Sequence, residues 1–140
     1  MHSPALQGPV QPLNEAIFAA HKTVQSGEYA RGVAAAQEVV KTEVVTAQDV
    51  YNAACTFSTA IPKVNADDAL TDAEKKSRSE DYSLQAVRYL RRAVETGFTD
   101  DEQYRSDSDL DILRDREDFK EMMDLIPQSK IVESIWIYTY

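Results

Sequence analysis

The residues that could carry out chemistry are few and lie far apart in the chain. The histidines are His2 and His21, and the single cysteine is Cys55. No cysteine, serine or second histidine stands at a spacing from His21 that would build a nucleophile–base pair or a zinc site. We therefore interpret His21 as a solvated or groove-lining side chain. We interpret Cys55 as a small apolar core residue rather than a reactive thiol.

A run of aspartates invites a test for calcium binding. Asp107, Asp109 and Asp111 form the D-x-D-x-D pattern that begins an EF-hand loop. The sixth position of such a loop needs glycine and holds Ile112, and the twelfth is Asp118 instead of glutamate. We interpret the run as acids at a helix start, where the positive end of the helix favours them. The four glycines are isolated, which excludes a phosphate-binding loop. The sequence thus predicts a non-enzymatic protein with no metal and no cofactor.

Composition and charge narrow the class of protein and its partners. The chain has 140 residues, 43% hydrophobic and 28% charged, with only four glycines and five prolines, which favours long helices in one domain. A net charge of -9 makes nucleic acid and anionic lipid poor partners. No apolar run approaches the roughly 18 residues of a membrane span, and residues 1–12 do not read as a secretory signal. With a single cysteine, we expect a cytoplasmic protein.

The charge is unevenly distributed along the chain. From residue 101 onward there are eleven acidic residues against five basic ones. This excess is either a solvated acidic face or a patch that attracts a basic partner. Arg88, Arg91 and Arg92 form a basic cluster, which we expect to pair with those acids rather than with nucleic acid.

Apolar spacing predicts antiparallel helices after a disordered leader over residues 1–11. The first helix begins at Pro12 or Asn14 and ends at Ser26-Gly27, because glycine tolerates the left-handed conformation past a helix end. The second helix follows within three residues, so the two must form a hairpin. Its apolar stripe is Tyr29, Val33, Ala36 and Val40.

Four further elements are expected downstream. A capping box of Thr46 and Asp49 opens a third helix that stops near Ile61-Pro62. Residues 62–79 are either a loop or an extension of the fourth helix, capped by Thr71, and the clear part of that helix runs from about residue 80 to 96. One helical turn follows over residues 100–104, and a closing helix runs from Ser108 or Asp109 to residue 126. The apolar tail over residues 127–140 could pack on that helix, pair with another chain, or be a departure in sequence that has no function.

Two groups of residues resemble known repeats. Residues 27–32 match the tetratricopeptide pattern of a turn glycine, an aromatic residue and then a small residue. Residues 51–55, 90–94, 97–98 and 108–114 leading to Asp118-Phe119 are similar to the helical-repeat segment at the C-terminal end of many bacterial, especially planctomycete, serine/threonine kinases and to related stand-alone proteins. Gly32 departs from the usual alanine, and Ile112 departs from the usual proline.

The resemblance implies an all-α fold of tetratricopeptide-like antiparallel hairpins, with about five main helices over residues 12–126. It also implies a concave groove lined by the first helix of each hairpin. By position, the exposed groove residues are Asn14, Ile17, His21, Gln25, Gln48, Tyr51, Asn52 and Cys55. Asn52 matches an asparagine that holds main-chain or terminal carboxylate groups of a guest in peptide-clamping relatives, but the basic residues of such a clamp are not evident.

The function that follows is a non-catalytic protein-interaction scaffold that binds a polypeptide, with a basic segment as one option. A regulatory or oligomerisation segment of a kinase, self-associating through residues 128–140, is an alternative from the same broad class. A helical domain that binds a small molecule or a metal is an alternative from another class, and a pocket with clustered ionisable residues would favour it.

Overall fold

The chain forms an all-α fold in a computed structural model that describes residues 10–42 and 44–127, with side chains from residue 15 onward. These residues form six α-helices and one 3-10 helix, and no strand occurs among them. The helices are α1 (Val10–Gln25), α2 (Tyr29–Val40), α3 (Ala47–Asn65), α4 (Asp72–Glu95), α5 (Asp101–Ser106), the 3-10 helix (Ser108–Leu113) and α6 (Glu117–Met123). Within the described residues, none of the helices combines the length and apolarity needed to cross a membrane.

The hairpin of α1 and α2 turns at the predicted glycine. Gly27 has a φ of 104°, a left-handed conformation that a side chain would strain. All four residues of the predicted α2 stripe are buried. The prediction of antiparallel helical hairpins is confirmed.

Helix α3 is the central element of the fold. It packs against α1, α2, α4 and the 3-10 helix, and 12 of its 19 residues are buried. Small side chains such as Ala53, Ala54 and Ala60 allow neighbouring helices to approach closely on several sides. The predicted capping box is present, because the Asp49 N–H donates to Thr46 Oγ1 and the Thr46 N–H donates to Asp49 Oδ2.

Two predicted helix boundaries are wrong. Helix α1 begins at Val10 instead of at Pro12 or Asn14. Helix α3 continues past Pro62 to Asn65, because the apolar stripe continues to the fully buried Val64 while Pro62 is exposed to solvent. Packing of the stripe thus outweighs the hydrogen bond that proline removes.

The segment between α3 and α4 contains both predicted alternatives, a loop and an extension of the fourth helix. Residues 66–71 form a loop, and residues from Asp72 onward belong to α4. Thr71 caps that helix through a capping box with Glu74, as the second alternative expects. Asp67 lies in this loop, and its carboxylate accepts a hydrogen bond from the Tyr29 hydroxyl. This bond ties the loop to α2.

The predicted closing helix is interrupted. Its first part is the 3-10 helix, in which Leu110 and Leu113 are both fully buried. In a helix with three residues per turn, this spacing of three places both side chains on one face. Helix α6 then starts at Glu117, and Arg116, the preceding residue, donates two hydrogen bonds to the Glu80 carboxylate of α4. The predicted leader lies outside the described residues except Val10 and Gln11, and the predicted tail does so except Pro127.

The structure explains why glycine stands at position 32. A Cβ there would lie 2.5 Å from Val24 Cγ2, 2.8 Å from the Ala20 carbonyl oxygen and 2.9 Å from the Val24 backbone nitrogen. Two of these neighbours are backbone atoms of α1, which cannot move aside without displacing the helix. Gly32 therefore sets the distance between α1 and α2.

We expect Gly32→Ala to lower the free energy of unfolding by about 1–3 kcal/mol, as overpacking of a core does. The measurement is urea unfolding followed by circular dichroism. In an exposed helix, the same change would instead stabilise by up to about 1 kcal/mol. Ala35→Gly, at an exposed position of α2, measures that propensity in the same helix. A gain in stability on Gly32→Ala would contradict the close approach.

Candidate functional site

A pocket of about 170 Å³ opens between α1, α3 and the segment that leads into the 3-10 helix. Several predicted groove residues line it together with acids from the C-terminal part of the chain. Its lining consists of Ile17, Phe18, His21, Tyr51, Asn52, Cys55, Gln103, Asp107 and Asp109. We call it the acidic pocket.

The wall on the α3 side is held by Tyr51, which was predicted to be exposed but is only 2% exposed. The rings of Phe98 and Tyr104 cover it, with centroids 4.8 and 5.1 Å from its own. The Tyr51 hydroxyl donates a 2.6 Å hydrogen bond to Asp107 Oδ2. Burial, ahead of the nearby acidic groups, raises the pKa of Tyr51, so the phenol remains a donor.

The Asp107 carboxylate is fully engaged within the fold. Its Oδ2 also accepts a 3.2 Å hydrogen bond from Gln103 Nε2 and a 3.7 Å contact from the Cys55 thiol. Its Oδ1 accepts the Asp109 N–H at 3.0 Å and thereby caps the 3-10 helix. The predicted role of an acid at a helix start is therefore seen at Asp107. This carboxylate joins α3 to the C-terminal segment.

Asp109 differs from Asp107 although it lies two residues away. Its backbone carbonyl accepts a 2.6 Å hydrogen bond from the Ser58 hydroxyl of α3, which fixes its position. Its carboxylate forms no hydrogen bond or ion pair with the part of the chain that the structure describes. Burial and then the charge of Asp107 raise the pKa of Asp109, and His21 opposes this shift. The pocket thus holds a partly buried carboxylate to which no residue of the described ranges is bonded.

Cys55 contributes a thiol to the pocket and not a thiolate. Its side chain is 5% exposed, and burial, followed by the charges of Asp107 and Asp109, raises its pKa well above the ordinary value. A nucleophilic cysteine needs a nearby positive group that lowers the pKa, and here the neighbours are acidic. The geometry therefore favours the core interpretation of Cys55, and the prediction that it is an exposed groove residue is wrong.

The same cluster has the composition of a metal site. Ligand atoms of Cys55, Asp107 and Asp109 lie within 4.8 Å of one another. Metal binding would require the thiol to lose its proton next to two acids and would compete with the three donors on Asp107 Oδ2. Asp111 does not belong to the cluster and pairs with Arg114 at 2.9 Å. The arrangement fits a ligand that donates hydrogen bonds better than it fits a metal ion.

The other predicted groove residues are distributed unevenly. His21 and Asn52 are partly exposed and line the acidic pocket, as does the buried Ile17, which was predicted to be exposed. Gln25 is exposed and lines a shallower hollow that shares Asp109 with the pocket. Gln48 is exposed but lines neither. The side chain of Asn14 lies outside the described residues.

Sequence reasoning missed Phe18, Gln103 and the convergence of Asp107 and Asp109 on the groove. Phe18 is 68% exposed and borders the pocket. Its exposure follows from the helical period, since Ile17 occupies the buried position of α1. Tyr51 and Asp107 are 56 residues apart in the chain, so no local pattern could pair them.

Within residues 10–42 and 44–127, no α4 arginine pairs with a C-terminal acid, contrary to the expected pairing. Arg91 lies 3.8 Å from Glu95 in the same helix, and Arg92 donates to the Val40 carbonyl oxygen. Among the described residues, the ion pair between α4 and the C-terminal segment has the opposite polarity, with Arg116 bound to Glu80. The acids of the pocket are therefore not neutralised by the basic cluster of α4.

Comparison with known proteins adds no assignment, because no family model, curated protein or solved structure matches the chain. The fold class is confirmed by the helices themselves. The resemblance to tetratricopeptide repeats and to kinase-associated segments stays a prediction.

We expect Asp109→Asn to raise the melting temperature at neutral pH. The folded-state pKa of Asp109 lies above the ordinary value of 3.8, so folding is penalised once the group is ionised in both states. The gain should shrink as the pH falls through the folded-state pKa towards that value, where the folded and unfolded states both hold the proton. Calorimetry between neutral pH and pH near 4 measures it.

The matched control for this experiment is Asp115→Asn, which makes the same change in net charge at an exposed position outside the pocket. It should give a smaller and less pH-dependent gain. A loss of stability on Asp109→Asn at neutral pH would show that the carboxylate has a favourable partner.

We expect the native Cys55 thiol to react with a disulfide reagent on the order of a hundredfold more slowly than in the urea-unfolded chain, because it is buried and protonated. The rate of release of the coloured thiolate measures this. Similar rates in the two states would indicate an accessible thiolate and would reopen the nucleophilic interpretation.

Proposed function

We propose that the chain is a non-catalytic protein-interaction module that binds a polypeptide along the groove of α1 and α3. The observation that carries this proposal is the acidic pocket, which lies where the repeat resemblance expects a guest. Its opening combines an exposed aromatic ring with partly exposed polar side chains, as protein-binding surfaces do. Phe18, His21 and Asn52 supply these groups.

The exposure of Phe18 supports this role because of its position. Single exposed apolar residues are ordinary on protein surfaces. Phe18, however, borders a pocket whose wall includes Ile17, so a guest side chain that enters the pocket would also cover the ring. An aromatic residue beside a pocket is typical of the residues that dominate binding energy.

The pocket does cluster ionisable residues, the feature that the sequence analysis expects of a domain that binds a small molecule or a metal, but its chemistry favours binding over catalysis. Its thiol is protonated, its phenol is held as a donor, and Asp107 is occupied by the fold. No pair of groups among the described lining residues forms an activated nucleophile with its base. A preformed pocket of this kind binds by complementarity.

A cytoplasmic location and a bacterial origin belong to the same proposal. The location is supported by the unpaired Cys55, which fits a reducing compartment. The origin is supported by the resemblance to kinase-associated helical repeats. A role beside a kinase stays a prediction, as does self-association through residues 128–140, which lie outside the described residues.

The test is selection of random dodecapeptides on the purified chain, followed by affinity measurement by calorimetry. We expect peptides that bind the wild-type chain and lose about tenfold or more in affinity on Phe18→Ala, a loss of about 1.4 kcal/mol. Since Phe18 is 68% exposed, its truncation should change the free energy of unfolding by less than about 0.5 kcal/mol.

The matched control is Leu125→Ala, which truncates an exposed apolar residue that does not line the pocket and should leave affinity unchanged. Failure to recover binding peptides would refute the proposed function. Equal affinity of the Phe18→Ala variant would also do so, because the groove would then not be the binding surface.

A further inference from the structure

We infer that the acidic pocket receives a basic side chain, lysine or arginine, of the bound polypeptide. This inference rests on the proposed function and specifies the chemistry of the guest at the same site. It is carried by charge complementarity: two carboxylates, Asp107 and Asp109, line one small pocket. Neither forms an ion pair with a lysine or arginine of the described residues.

The position of Asp109 makes it the group that would contact the cation. Its backbone is held to α3 by Ser58, so its carboxylate is presented from a fixed segment. Asp107 keeps its hydrogen bonds to Tyr51 and to the 3-10 helix and adds a second negative charge behind it. A carboxylate that is partly buried and without a partner is completed by a donor that carries positive charge.

The remaining walls fit the carbon chain of a basic residue. Lysine and arginine have long apolar stems below their charged groups. Ile17 and Phe18 provide apolar surface on the α1 side of the pocket. The face of an exposed aromatic ring also attracts a cation. The net charge of -9 would bring a basic segment towards the chain from a distance.

A metal ion is the rival occupant, and the hydrogen bonds favour the basic side chain. An ammonium or guanidinium group binds carboxylate oxygens without removing a proton from Cys55. It also leaves the donors on Asp107 Oδ2 in place, whereas a metal ion held by all three residues of the cluster would need the Cys55 thiolate.

The first experiment measures whether the pocket binds a cation. The full chain, labelled with 15N, is titrated with n-butylammonium chloride and separately with n-butanol, which has the same carbon chain without charge. We expect saturable amide shifts at Phe18, Asn52 and Asp109 with the ammonium only. Equal shifts with n-butanol would overturn the inference, as would an absence of shifts with n-butylammonium.

The second experiment measures whether the cation belongs to a polypeptide. Three peptide libraries with a fixed central lysine, norleucine or glutamate are passed over the immobilised chain. We expect the lysine library to be retained about tenfold or more over the norleucine library. Because a net charge of -9 attracts any basic peptide, the decisive comparison is between Asp109→Asn and its charge-matched control Asp115→Asn. The first should abolish the preference, and the second should keep it.

The outcomes separate this inference from the proposed function. Equal retention of the lysine and norleucine libraries would overturn the basic anchor and leave the groove function standing. Retention of no library would refute the proposed function and the inference together. Saturable binding of zinc chloride that is lost in Cys55→Ala and that blocks n-butylammonium binding would assign the pocket to a metal and overturn the inference.

Discussion

The fold depends on the burial of α3 on several sides at once. A helix that contacts three other α-helices and a 3-10 helix cannot carry large side chains at every position. Its sequence therefore alternates small residues with a few large ones such as Tyr51 and Phe57. Buried hydroxyls remain possible because they find acceptors: Thr56 donates to the Asn52 carbonyl within the helix, and Ser58 donates to the Asp109 carbonyl across the interface. The last of these bonds brings the C-terminal segment to the groove.

Sequence patterns correctly predicted the parts of the fold that depend on residues close together in the chain. The turn at Gly27, the capping boxes at Thr46 and Thr71 and the buried stripe of α2 all depend on residues close together in the chain. The errors arise where packing decides. Pro62 would mark a helix end only if no buried residue followed it. Val64 follows it and is buried, so the helix continues. The spacing of Leu110 and Leu113 fits both helix types, and their contacts with the core select the tighter one.

Only the side of the candidate site that α1 and α3 provide could be predicted from the sequence. The repeat resemblance places His21 and Asn52 on a groove, and both line the pocket. The acids come from the other side through long-range bonds, of which the one from Tyr51 to Asp107 is the clearest. Sequence distance conceals such a pair, and the D-x-D-x-D spacing groups Asp111 with the other two acids although it lies outside their cluster. An acidic excess near the C-terminus was visible, but only the fold shows that two of its members face α1 and α3.

The two aspartates of the pocket illustrate how structural and functional polar groups can be told apart. Asp107 has its acceptor capacity taken up by a phenol, an amide, a thiol and a backbone N–H, so its burial is accounted for by stability. Asp109 is held in place by its backbone while its carboxylate bonds to none of the described residues. A carboxylate that is fixed, partly desolvated and bonded to none of the described residues opposes folding, and such local conflicts are expected where a surface has a use. Under the proposed function, α3 and Asp107 supply the frame of the pocket, and Asp109 supplies the charge that a guest would complete.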